Sequence, residues 1–356
     1  MRLILTFRIL VVIAFLFYNY SVHLMGQVTV DDGSIVDTID TQLDIFEVEE
    51  PMIITLTLDL KKYQKTKFKG EYMPADLSYH INDSVRIEKN IRLKARGAFR
   101  RSYCTFAPFW LNIRKSDIKN QHLEDVKRVK VVTQCRGSSL HGTYVLKEYL
   151  AYRIYNVLSP KSFRTRLVRM KYIDTGRKNK VTESWAFLIE PEEMLAERLN
   201  GIAIDNDKLG MRFMEPSEMD LAALFQYMIG NSDYTITGRH NVKILGLPWY
   251  GSTGYTPVPY DFDYSGIVDA DYAIPGGNLG IKSVRERYYL GPCRETHEYR
   301  EPIDYIITHK DEILDLITSF PHLDPSGKKE IVDYLTEFFK LSEENGLEID
   351  LNRTCR

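Results

Sequence analysis

Apolar and polar positions begin to alternate at Pro51. MIITLTLDL, residues 52–60, alternates strictly and is rich in β-branched residues, which predicts a half-buried strand. IRLKARGAF (91–99), FAPFWLNIR (106–114) and VKRVKVVTQC (126–135) repeat the pattern and predict three more strands, with Gly97 marking a turn. KKYQKTKFKG (61–70), between the first two, reads as a basic connector with a solvated face. The period then changes. In TYVLKEYLAYRIYNVLS (143–159), Val145, Tyr149 and Tyr152 recur with Leu146, Leu150 and Ile154 at helical spacing, and Pro160 closes the run. RTRLVRMKYID (164–174) and SWAFLIE (184–190) return to strand character.

Beyond residue 190 the helical period dominates. SEMDLAALFQYMIG predicts a helix with Ser217 as N-cap and Gly230 as its stop. VKIL (242–245) and PVP (257–259) are short strand candidates. Residues 301–320 and 325–346 each predict one long helix. A sheet-rich first half followed by a helix-rich second half predicts an α+β architecture with two lobes, divided at 51–190 and 191–356.

The first fifty residues differ from this body. Arg2 and Arg8 precede an apolar run at 9–18, too short to span a bilayer comfortably, so residues 1–26 read as an export signal. An uncleaved N-terminal anchor is the alternative. No Cys follows the run, which argues against a lipid anchor, and either reading puts the body outside the cytoplasm, periplasmic or extracellular. Residues 27–50 hold acids but no Lys or Arg and read as an acidic flexible leader.

Composition narrows the function classes. Of 356 residues, 44% are hydrophobic and 27% charged, with a formal net charge of -2, so no overall basic field draws the chain to nucleic acid. Cys104, Cys135, Cys293 and Cys355 are far apart, without a CxxC pair, which argues against a zinc site. They allow three complete disulfide pairings, and free buried thiols are the alternative.

The chemistry concentrates in GNSDYTITGRHNVKIL (230–245) and VPYDFDYSG (258–266). A loop carboxylate after a helix and carboxylates after a strand can meet. Phosphoryl transfer uses such an inventory: one carboxylate takes the proton of the attacking hydroxyl, and hard oxygen ligands hold Mg²⁺ or Mn²⁺ on the phosphates of ATP. In that reading Asp233 is the base, and Asn241 and Asp261 hold metal. His240 reads more simply as a hydrogen-bonded histidine, although with Asp233, Asp261 and Asp263 it also suits a metal-dependent phosphoester hydrolase.

Five segments carry a resemblance: RGAFRRS (96–102), KEYLAYRIYNVL (147–158), RLVRMKYID (166–174), GNSD with the later HN, and VPYDFDYSG. Through them the chain resembles the CotH-like family, named for the spore coat protein H kinases. The resemblance implies a two-lobed atypical protein-kinase-like fold and an exported phosphotransferase using ATP with Mg²⁺ or Mn²⁺ on a protein hydroxyl. It implies Asp233 as catalytic residue, Asn241 and Asp261 as metal ligands with Asp263 in reserve, and Glu148 as partner of a nucleotide-binding lysine. The chain departs from the pattern in two places. Asp233 and Asn241 stand eight positions apart, where kinase catalytic loops have about five. Asn112 stands where that lysine is expected, which leaves Lys94, Arg96 and Arg114 as candidates. These departures equally suit a catalytically silent kinase-like protein that binds an envelope partner.

Overall fold

Inward-facing alternation builds the first half into a barrel. The computed structural model describes residues 45–80, 86–113, 128–250, 254–344 and 346–356. Strand β1 (Met52–Leu58) points Met52, Ile54, Leu56 and Leu58 inward and leaves Ile53 exposed. Helix α1 (Leu60–Thr66) follows, where the sequence suggests only a basic connector. Asp59 caps it by accepting from the Lys62 amide, and Tyr63 is its buried anchor. Strands β2 (Met73–His80) and β3 (Arg86–Ala95) come next. Helix α2 (Phe99–Tyr103) takes the Phe99 end of the predicted strand, after Gly97 turns with φ of +82°. Strands β4 (Phe109–Ile113) and β5 (Arg128–Thr133), the long helix α3 (Ser139–Leu158), and strands β6 (Thr165–Asp174) and β7 (Lys180–Ile189) complete this half.

The strands close in the order β1-β2-β3-β4-β5-β7-β6, with β1 and β6 parallel and the other pairs antiparallel. Closure removes the sheet edges. Leu77, Leu93, Phe109, Leu111 and Val131 fill the interior. Val132, Phe187 and Ile189 instead face outward and join a second core with Tyr149, Leu150 and Ile154 of α3. Thus α3 lies on the barrel wall and links the two halves.

The second half is mainly helical. Helix α4 (Glu192–Arg198) and the two-residue strand β8 (Ile202–Ala203) lead to α5 (Pro216–Met228). Pro216 occupies the first turn of α5 and Glu215 the N-cap, so Ser217 lies inside the helix. Strands β9 (Val242–Gly246) and β10 (Tyr255–Pro259) form a small sheet with β8. β10 is an edge, which tolerates Pro257 and Pro259. The predicted helix at 301–320 is two helices, α6 (Arg300–Thr308) and α7 (Lys310–Ser319), separated at His309. Helices α8 (Pro325–Glu343) and α9 (Leu347–Thr354) end the chain.

The chain is thus a mixed α+β structure, sheet-rich first and helical second, and the sheet of the first half closes into a barrel. The described residues belong to one compact unit, Gln42–Arg356. Disulfides join Cys104 to Cys135 and Cys293 to Cys355. Among the described residues no helix is long and apolar enough to cross a membrane, and the apolar run at 9–18 lies outside them.

Two glycines stitch the acidic segments together. The Gly266 amide donates to the Gly230 carbonyl at 3.1 Å, and the Ile267 amide to the Ile229 carbonyl at 3.0 Å. A β-carbon on Gly266 would sit 2.4 Å from the Tyr334 hydroxyl and 2.7 Å from the Val284 carbonyl. Gly266→Ala is therefore expected to destabilise the protein by about 2–4 kcal/mol, an overpacking cost against backbone that cannot swing away. Urea denaturation measures it, and a loss below about 1 kcal/mol would show that the seam yields.

Candidate active site

The DFD segment works through its middle residue. Phe262 is fully buried between Tyr152 and Phe225, with ring centres 4.6 and 5.5 Å away, a burial that contributes about 1.5–3 kcal/mol. With Phe262 fixed inward, Asp261 and Asp263 turn towards α3. The Asp261 amide donates to the Tyr152 hydroxyl at 2.8 Å, and Asp261 adopts a left-handed φ of +67°, a strained backbone for a residue with a β-carbon. Glu148 of α3 completes a trio. Ligand oxygens of Glu148, Asp261 and Asp263 all lie within 4.8 Å of one another.

Two arginines face this trio. Buried Arg100, on α2, places Nη1 3.6 Å from Glu148 and 3.7 Å from Asp263, and its Nη2 donates to the Thr133 carbonyl at 2.6 Å. Arg96 lies 3.7 Å from Asp261. The Cys104–Cys135 disulfide ties the segment after α2 to the segment before α3, so one covalent link braces the elements carrying Arg100 and Glu148. Burial pushes Glu148 well above the usual carboxylate range, and the Asp263 charge adds to it. Burial likewise raises Asp263 to about 6, with Arg100 pulling the other way. Oε1 of Glu148 is buried without a hydrogen-bond partner among the described residues. An orphaned oxygen in a crowded carboxylate trio fits a divalent cation.

The GNSD turn lies beside the trio. Gly230 stops the preceding helix with a left-handed φ of +69°. Asn231 Oδ1 accepts from the Asp233 amide at 3.1 Å. The eight-residue spacing is absorbed by a bridge between Thr235 and His240, which loops out the residues between them. Arg239 holds that loop through Asp205 and Asp207. The chain returns so that Asn241 Nδ2 donates to the Asp233 carbonyl at 2.7 Å and to its Oδ2 at 3.1 Å. His240 Nε2 lies 3.0 Å from the other carboxylate oxygen, Oδ1, and this bond raises the His240 pKa. The Asp233 charge also reaches Asp263, adding to its upward shift.

A cationic strip runs from the trio along the outer face of β3, β4 and β5. Trp110 is flanked by Arg96, Arg128 and Lys130, with charge-to-ring distances of 5.7, 4.3 and 5.7 Å. Lys130 also lies 4.0 Å from the Tyr260 ring. Burial, with Arg96 and Lys243 nearby, lowers its pKa to about 7.

The structure sorts the sequence candidates. Asp233 and Asn241 meet, and so do Asp261, Asp263 and Glu148. Among the described residues Glu148 pairs with Arg100 and not with the lysine expected of it. Arg96 reaches Asp261, whereas Lys94, on β3, lies 5.6 Å from the ring of Tyr72, just before β2. Arg114 lies outside the described residues. Arg100 and Lys130 escape the sequence reading. Their only signal is a basic side chain within an aromatic or apolar run.

Neither a family model nor a curated protein matches the sequence. Among solved structures, a Helicobacter pylori proinflammatory kinase, CtkA, is similar over 68% of this chain and 94% of its own, at 13% identity and a TM-score of 0.41. A TM-score that low fixes neither fold nor chemistry.

Proposed function

We propose that the protein is a metal-dependent phosphotransferase that moves the terminal phosphate of ATP to a hydroxyl of a protein. The observation that carries this reading is the convergence of Glu148, Asp261 and Asp263 within 4.8 Å beside the Asp233–Asn241 pair. The acceptor hydroxyl gives its proton to Asp233 as its oxygen bonds to phosphorus. The bond from phosphorus to the bridging oxygen breaks, and ADP leaves with the electron pair. Asp261, Asp263 and Glu148 would hold Mg²⁺ or Mn²⁺, with Asn241 offering its amide oxygen. The cation would neutralise phosphate charge. Arg96 and Lys130 face the same anionic groups, and Trp110 offers a stacking surface. The CotH-like resemblance of the GNSD and DFD segments supports the same roles. The two disulfides suit an oxidising compartment, in keeping with export.

A second reading, a silent binding protein, draws on Arg100, whose guanidinium already sits between Glu148 and Asp263. Thermal melting with ATP and Mn²⁺ separates the two. In the first reading saturating ligand raises Tm by several degrees, since binding at about 100 times Kd adds about 2.7 kcal/mol. Asp261→Ala removes the gain. An unshifted wild-type melt favours the silent protein.

A further inference from the structure

A basic cavity adjoins the cavity that holds Asp233. The smaller one, about 230 Å³, is lined by Asp233, His240 and Tyr264 with Ile274, Leu279 and Arg356. The larger one, about 550 Å³, is lined by Lys208, Arg212, Arg294 and Arg356, and among the described residues no acidic one lines it. Arg356 borders both. Arg294 is satisfied, with its Nε 3.1 Å from each carboxylate oxygen of Asp220. Lys208, Arg212 and Arg356 make no ion pair with another described residue. The nearby acids Asp205 and Asp207 are engaged by Arg239. Three exposed cations without an ion pair among the described residues make this cavity positive, and an anion seated among them is attracted. Met211, Phe213 and Pro292 give the cavity apolar walls. Ile274, 74% exposed, offers an apolar contact at the mouth of the smaller cavity.

We infer that the basic cavity seats an anionic side chain, carboxylate or phosphate, on the acceptor polypeptide, whose hydroxyl-bearing residue reaches Asp233 through the smaller cavity. The inference rests on the phosphotransferase reading for what happens at Asp233. The anion seat itself does not. Acceptors would then be acidic segments, or segments already phosphorylated near the target hydroxyl. A basic segment would be rejected by Arg356 and Arg212.

The test uses fluorescein-labelled peptides with one serine flanked by three glutamates, by three glutamines, or by a phosphoserine. Anisotropy is read on the whole protein without nucleotide at low salt. The glutamate peptide is expected to bind about tenfold more tightly than the glutamine peptide, with the preference weakening as salt rises. Tighter binding of the phosphoserine peptide would identify phosphate as the preferred anion. Arg212→Ala/Arg356→Ala is expected to erase the preference, and Lys208→Ala/Arg212→Ala to reduce it, both with unchanged melting temperatures. Equal binding of the glutamate and glutamine peptides by wild type overturns the inference, as does a preference that survives in both variants. If the preference holds but ATP with Mn²⁺ leaves Tm unmoved, the anion seat stands and the transfer reading fails.

Discussion

Asp233→Asn is expected to slow phosphate transfer from ATP to a protein acceptor by about 10²–10⁴-fold, the contribution of a positioned proton acceptor. The effect is confined to chemistry because Asp233 is held mainly through other atoms. Asn231 accepts from its amide, and Asn241 donates to its carbonyl as well as to its carboxylate. The variant should therefore keep the ATP–Mn²⁺ rise in Tm. It should also lower the His240 pKa towards the ordinary value, since the bond to Asp233 is the main cause of the rise. The sign follows from linkage: a raised histidine stabilises the fold at low pH, and that contribution fades as pH climbs through its folded value. Asparagine removes it. Labelled-phosphate transfer and an NMR titration of His240 measure the two effects. Transfer within threefold of wild type would dismiss Asp233 as the base.

The largest stability effect is expected at Arg100. Arg100→Met removes a buried cation and leaves Glu148 and Asp263 facing each other, a loss of about 3–5 kcal/mol. The loss should depend on pH. Burial already raises Asp263, and losing Arg100 removes the charge that pulls it down, so it rises further in the variant; its protonated form relieves the repulsion at low pH, and the defect deepens as pH climbs through that raised value. Millimolar Mn²⁺ should restore part of the lost stability if the trio is a cation site, because the ion replaces the missing charge. Chemical denaturation at pH 5 and pH 8, with and without Mn²⁺, gives all four values. A large loss that Mn²⁺ leaves untouched would mean that Arg100 alone completes the trio.

Much of the barrel is legible in the sequence because strand alternation is local. β1 and β6 follow from their β-branched, alternating runs. β2 escapes although Met73, Ala75, Leu77 and Tyr79 all point inward, because Pro74 and Asp76 between them look like turn residues. The break at His309 escapes because the apolar spacing continues through it. The acidic residues are legible because each follows an apolar anchor or a glycine stop. Arg100 and Lys130 are not, because their environment is made by distant segments. Arg100 is buried only where α2, α3 and the DFD segment converge. Lys130 occupies the outward position of an alternating strand, which ordinarily faces water, and the rings of Tyr260, Trp110 and Phe163 from separate segments lie over it.

The parallel pairing of β1 with β6 sets an order for the nascent chain. Met52 finds its partner in Val168, so one side of β1 stays open on the ribosome until β6 has been made. α3 is synthesised before that moment and waits with its apolar stripe uncovered. A half-made chain therefore presents a bare strand edge and a sticky helix together, the combination that chaperones capture and that aggregates when they do not. A pause after α3 has left the ribosome but before β6 has done so would hold the polypeptide in its most vulnerable form.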